Sequence, residues 1–170
     1  MLVLEIPNNG NFILNFDEAN VHRFAPCTFI YEKDSLQVKI CEDDLYFIIE
    51  SIFNRIQNIP ELKSEKMLGK LGKWQEYHYY NSIYVKKNMD AIEQMEKAIF
   101  LSAEHFGSFM YKCKGSIWLE LNRGFQLEKD KKCKAYYSNP MNYRLFLSEI
   151  PRSILAEWQN GLQKIKVKTD

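Results

Sequence analysis

The chain has 170 residues and a mass of 20.2 kDa, with 46% hydrophobic and 26% charged residues. That is ordinary globular usage, and it excludes the disordered, collagen-like and low-complexity classes. A chain of this length buries roughly 70% of its unfolded surface, so it needs no disulfide or metal to fold. Twenty-three Lys and Arg against twenty-two Asp and Glu leave a net charge of +1, which makes no case for nucleic acid or an anionic membrane as partner.

The opening forty residues read as a meander of strands. Leu2 to Ile6 and Phe12 to Phe16 flank Asn8-Asn9-Gly10, and an Asn-Gly pair supplies the positive backbone angles of a tight hairpin turn. A loop holding Asp17 to Arg23 leads to Cys27–Tyr31 and the alternating Leu36, Val38 and Ile40, which surround the polar turn Glu32-Lys33-Asp34-Ser35. The period then changes to that of a helix. Leu45, Ile48, Ile49, Ile52, Phe53, Ile56 and Ile59 recur at steps of three and four, behind Glu42-Asp43-Asp44 and ahead of Pro60.

From Glu61 to Asn88 the pattern weakens. A short helix over Ser64 to Leu71 and a strand or ordered loop through Trp74, Tyr77, Tyr79, Tyr80 and Tyr84 fit it best. Asp90 and Glu93 form a capping box ahead of Ala91, Met95, Ala98, Ile99 and Ala103. This predicts a middle helix closed by Gly107. Ser108 to Lys112 and Ile117 to Leu121 flank Lys114-Gly115 as a further hairpin. Lys129 to Lys134 is a basic bend, and Ala135–Tyr137 and Tyr143–Leu147 supply one or two more strands. A final helix starts near Pro151 and carries Ile154, Leu155, Trp158, Leu162 and Ile165 on one face. The expectation is a single α+β domain over residues 1–170: a mostly antiparallel sheet built from hairpins and covered by three amphipathic helices.

No run reaches the about eighteen apolar residues of a membrane helix, and Met1 to Pro7 lacks the basic and small-residue features of a signal peptide. A cytoplasmic protein with no membrane partner is expected. Cys27, Cys41, Cys113 and Cys133 are never closer than fourteen positions, and His22, His78 and His105 are equally scattered. Neither set has metal-ligand spacing, so free packed thiols and no metal or cofactor are expected. With only seven glycines, no phosphate-binding loop can be written, and the HExxH and GxSxG patterns are absent. Cys133 lies between Lys132 and Lys134, which favours a thiolate, yet it has no base or resolving cysteine nearby in sequence. Glu104 and His105 point about 100° apart on a helix and do not pair.

Charge is unevenly distributed. Residues 1–62 hold ten acidic and four basic side chains, net −6, and residues 63–170 hold nineteen basic and twelve acidic, net +7. Such a chain can present separate acidic and basic faces that steer association.

The stretch Phe109 to Leu121, with Tyr111, Gly115, Ile117, Leu119 and Glu120 at its fixed points, resembles the small-turn hairpin of several bacterial toxin-immunity families. Asn142-Tyr143-Arg144 through Ile150-Pro151 to Trp158, closing with Leu162 and Ile165, resembles their final strand and helix. The resemblance implies a small cytoplasmic α+β protein, without an active site, that binds and neutralises one cognate protein toxin in polymorphic-toxin or contact-dependent inhibition systems. Against a basic toxin, the contact residues expected from the acidic half are Asp17, Glu18, Asp43 and Asp44, with Tyr77, Tyr79 and Tyr80 as aromatic anchors. A second reading is an enzyme or ligand-binding domain whose pocket gathers His78, His105 and the tyrosines. A third is nucleic-acid binding through Lys129–Lys134, with Tyr136-Tyr137 beside it, and Lys164–Lys168; with five Arg to eighteen Lys it is the weakest of the three.

Overall fold

The computed structural model describes residues 1–62, 97–103, 106–123, 128–129, 135–136 and 144–169. Strands β1 (Leu2–Glu5), β2 (Asn11–Asn15), β3 (Pro26–Lys33) and β4 (Leu36–Asp44) form an antiparallel meander in chain order. Register places Leu4, Phe12, Tyr31 and Val38 in one cross-strand row and Leu2, Leu14, Phe29 and Cys41 in the next. These rows form the inner face, because the two-residue period of a strand puts both sets on one side.

Turn chemistry joins the strands. Between β1 and β2 the Asn9 N–H donates to the Ile6 carbonyl and the Ile6 N–H to the Gly10 carbonyl, both at 2.8 Å. Positive φ falls on Asn8 (62°) and Gly10 (83°), with Pro7 preceding, so the tight turn is centred on Pro7-Asn8 and not on the Asn-Gly pair. Asp34 (φ 52°) turns β3 into β4. Register slips between Phe29 and Ile30, which leaves Ile40 as the extra residue of a bulge on β4.

Helix α1 (Leu45–Gln57) leaves β4 directly and buries Leu45, Ile48, Ile49, Ile52 and Ile56, the stripe its spacing predicts. Glu42, Asp43 and Asp44 belong to the end of β4, and no acidic residue lies in the first turn of the helix. Two of the free N–H groups of that turn are satisfied by backbone instead: Leu45 donates to the Ala25 carbonyl at 2.8 Å and Tyr46 to the Arg23 carbonyl at 3.3 Å.

A second antiparallel sheet, in the order β10-β7-β6-β5, contains β5 (Ile99–Ala103), β6 (Phe106–Cys113), β7 (Ser116–Arg123) and β10 (Arg144–Glu149). A short pair, β8 (Glu128–Lys129) and β9 (Ala135–Tyr136), lies between β7 and β10 in the chain. Lys114 and Gly115, both at positive φ (50° and 83°), close the β6–β7 hairpin as expected. Helix α2 (Arg152–Thr169) follows Pro151, and the N–H groups of Ile154 and Leu155 bond the Pro151 carbonyl.

The α+β class and the antiparallel hairpins are as read from the sequence, but the strands divide between two four-stranded sheets and a short pair in place of one sheet, with two helices among the described residues in place of three. The end of the middle helix is corrected; its start at Asp90, the short helix over Ser64 to Leu71 and the segment from Trp74 to Tyr84 lie outside the described residues. Lys97 and Ala98 are helical, but Ile99–Ala103 is the edge strand of the second sheet, and Gly107 pairs with Asn122 inside β6 instead of capping a helix. An Ile-Phe-Leu run suits a pleated surface better than a helix, and pairing with β6 decides the outcome.

One core joins the sheets. Phe12 lies 4.8 Å from Phe29, 5.9 Å from Phe146 of β10 and 6.0 Å from Trp158 of α2, ring centre to ring centre. Met110, Leu119 and Leu121 enter the same core, while Phe109, Tyr111 and Cys113 on the opposite face of β6 pack with Leu62 and Ala98. The second sheet is therefore covered on both faces at β6. Trp158 Nε1 donates to the Glu5 carbonyl at 2.9 Å, tying α2 to β1.

Candidate functional site

One end of the first sheet gathers the groups best suited to binding. The loop after β2 and the end of β4 lie together there, because Asn15 is opposite Thr28 and Asp44 is opposite Pro26. The carbonyls of Arg23 and Ala25 then hook this loop onto the start of α1. That contact sets Arg23 against Tyr46, with its guanidinium carbon 4.4 Å from the ring centre, and 5.9 Å from the ring of Phe24. Phe24 and Phe47 remain 68% and 53% exposed. These side chains, with Asp44, Glu50, Ser51 and Asn54, line an open cavity of about 400 Å³. An arginine stacked on an aromatic ring is held in one pose, which lowers the entropy lost when a partner covers it.

The four acidic residues expected as contacts are exposed at this end of the sheet, and their partners separate them. Asp17 accepts from the Ala19 N–H at 2.9 Å and caps a short 3₁₀ turn over Glu18–Asn20. Glu18 pairs with the Met1 ammonium. Asp43 accepts from the Asp44 N–H at 2.8 Å. Asp44 stands at the N-cap position without making a side-chain cap and faces the cavity. Its neighbour Glu42 is neutralised by Lys39 at 2.6 Å, which holds the Glu42 carboxyl below its ordinary pKa. Asp44 is thus the acidic group most available to a partner.

Tyr77, Tyr79, Tyr80, His78, His105 and Cys133 lie outside the described residues, so neither the aromatic anchors nor the gathered pocket is placed. No histidine or cysteine lines the cavity at the start of α1, and among the described residues no three His, Cys, Asp or Glu come together as a metal-binding group. No described helix is long and apolar enough to cross a membrane. Cys27, Cys41 and Cys113 are free thiols. Burial pushes Cys27 up to about 12 and Cys41 up to about 11, so both stay protonated and unreactive near neutrality.

Sequence reasoning missed Arg23, Phe24, Tyr46 and Phe47. Phe47 carries a signal that was there to read, since it falls off the apolar stripe of α1 and must face outward. Phe24 follows a polar loop with no periodicity, and only the hydrogen bonds from Leu45 and Tyr46 bring it beside the helix.

A second cavity of about 350 Å³ adjoins the first, sharing Ser51 and Asn54, and adds Arg55, Asn58 and Ile99. Arg55 Nη2 donates to the Ile99 carbonyl at 2.5 Å, and Nη1 reaches the Asn58 carbonyl at 3.5 Å. Burial lowers the pKa of this guanidinium below its ordinary value. Comparisons of the chain with protein-family models, with curated proteins and with solved structures found no match.

Proposed function

We propose that this is a non-enzymatic protein-binding domain, a cytoplasmic immunity protein that binds and neutralises a cognate bacterial toxin, with the partner seated on the start of α1. The observation that carries the reading is the pair of exposed phenylalanines, Phe24 and Phe47, around the Arg23–Tyr46 stack with Asp44 beside them. Aromatic residues and arginine are the types enriched at the centres of protein interfaces. Contiguous exposed aromatics are uncommon on a surface that binds nothing. The acidic excess of residues 1–62 adds long-range attraction for a basic partner.

The test takes the polypeptide encoded beside this chain's gene, purified as its toxin domain, and measures binding by calorimetry together with protection of cells expressing it. Wild type binds and protects, and Phe47→Ser weakens binding by at least about tenfold with no loss of thermal stability. Asp44→Asn and Asp34→Asn change net charge equally, but Asp34 lies in the β3–β4 turn at the far end of the sheet. Only Asp44→Asn should slow association and flatten its salt dependence. Absence of binding, or equal binding by Phe47→Ser, refutes the proposal.

A further inference from the structure

Arg55 is a cation without a counter-ion among the described residues. Its guanidinium is half-buried, touches two backbone carbonyls, and has no carboxylate within ion-pair distance among the described residues. Nε is buried and has no hydrogen-bond acceptor among the described residues. A guanidinium has five N–H donors, and carbonyl oxygens occupy two of them here. Charges removed from water are ordinarily matched by an opposite charge, because carbonyl dipoles alone do not offset the lost hydration. Its place in the last turn of α1 gives it some help from the helix dipole. That accounts for a cation at this position but not for the cavity beside it.

The walls of that cavity suit a small anion. Ser51 lies one turn before Arg55 on the same face of α1, and Asn54 and Asn58 complete a lining of hydroxyl and amide groups with Ile99 as the apolar wall. Asn54 Nδ2 is 3.5 Å from Glu50 Oε2, so a carboxylate stands at the near rim. That carboxylate is held by Lys166, so its repulsion of an anionic guest is largely cancelled. We infer that the Arg55 cavity is a carboxylate-binding site, in which the planar guanidinium edge takes the two oxygens of the guest and Ser51 and Asn58 bound it laterally. Arginine is suited to this because its fork matches carboxylate geometry, which a lysine ammonium does not. The site requires no protein partner and stands independently of the docking reading.

A free organic acid and an acidic side chain present the same group, and both serve as probes: acetate, and glutamate capped as N-acetyl-N-methylamide. The ¹⁵N-labelled protein is titrated with each, and with sodium chloride and inorganic phosphate at matched ionic strength, while the Arg55 Nε–Hε resonance is followed. The expected result is a saturable shift with acetate or capped glutamate, the stronger of the two identifying the source, and at most a small, non-saturating drift with chloride. Arg55→Lys should weaken the response by at least about tenfold, read on the Asn58 side-chain amide. Because that change also removes the bond to Ile99, a second variant adds the missing charge: Ser51→Asp, one turn before Arg55. It should abolish the acetate response and raise the melting midpoint by roughly 1–2 °C. Identical responses to acetate and chloride, tighter binding of phosphate than acetate, or an undiminished acetate response in Ser51→Asp would overturn the assignment.

Discussion

Tyr31 and Phe146 offer a direct measurement of how firmly the two sheets are joined. Tyr31 sits in β3 and Phe146 in β10, both essentially buried, with ring centres 5.0 Å apart and planes inclined by 34°. Such a tilted aromatic pair contributes about 0.5–1.5 kcal/mol beyond the area it buries. Truncating either ring to alanine would cost about 3–5 kcal/mol, mostly through the cavity left behind. Leucine is the better replacement because it keeps most of the volume. The cycle Tyr31→Leu, Phe146→Leu and the double variant should therefore show a coupling of about 1 kcal/mol, measured by urea unfolding. Trp158 is a convenient reporter, since it packs on Phe12, which contacts both rings. All variants should unfold in one transition, with the losses appearing in the midpoint and not in the slope. A coupling within about 0.3 kcal/mol of zero, the scatter of independent sites, would refute the shared core. Two separated transitions would refute it equally.

Gly10→Ala should cost well over about 1 kcal/mol in thermal unfolding, because φ is +83° and the new methyl would stand 2.1 Å from the Glu32 carbonyl oxygen. Gly115→Ala shares that φ but meets open space, so its loss should be smaller and purely conformational. Alkaline stability should fall from about pH 9 upward. Cys27 and Cys41 hold their protons up to about 12 and 11 in the folded chain against 9.0 ordinarily, so the unfolded state releases protons first and is favoured as pH rises. Cys27→Ala should make urea midpoints measured from pH 8 to 11 less steeply pH-dependent, and an unchanged slope would contradict the burial argument. Lys166→Met should destabilise by about 1–2 kcal/mol, because Glu50 loses its partner between α1 and α2 where both side chains are less than a quarter exposed. Adding Glu50→Gln should recover part of that loss.

The elements that could be read from the sequence are those whose causes are local. The β6–β7 hairpin follows from Lys114-Gly115, α1 from an uninterrupted isoleucine stripe, and α2 from Pro151 ahead of Leu155, Trp158 and Leu162. The errors occur where a distant partner decides. Ala98 and Ile99 continue a helical spacing, yet Ile99–Ala103 is drawn into the sheet by Phe106–Cys113. Glu42 to Asp44 have the composition of a helix start, and pairing with Pro26–Thr28 extends β4 through them. The same division holds at the site. Asp44 was legible as an exposed acid beside a helix, whereas the Arg23–Tyr46 stack depends on carbonyls twenty or more positions from the amides they cap.

A net charge of +1 describes no surface of this molecule. Residues 1–62, net −6, make up the whole of the first sheet and α1, and the strands of the second sheet all come from the basic remainder of the chain. Among the described residues the two sheets draw their strands from different halves, although Glu61 bridges to Lys112 of β6 and α2 crosses over to set Lys166 against Glu50. Local pairing then thins the acidic excess: Lys39 takes Glu42, the Met1 ammonium takes Glu18, and Lys166 takes Glu50. The two exposed pairs, Lys39–Glu42 and Met1–Glu18, contribute little to stability, but all three pairs cancel the near field of the acid they hold. At the start of α1 the acidic charge left to act at short range is that of Asp17, Asp43 and Asp44, and of these only Asp44 faces the aromatic cavity, beside the Arg23 cation. Attraction of a basic partner and apolar contact with Phe24 and Phe47 therefore converge on one turn of helix. A partner drawn in by the acidic field is delivered to the residues able to hold it.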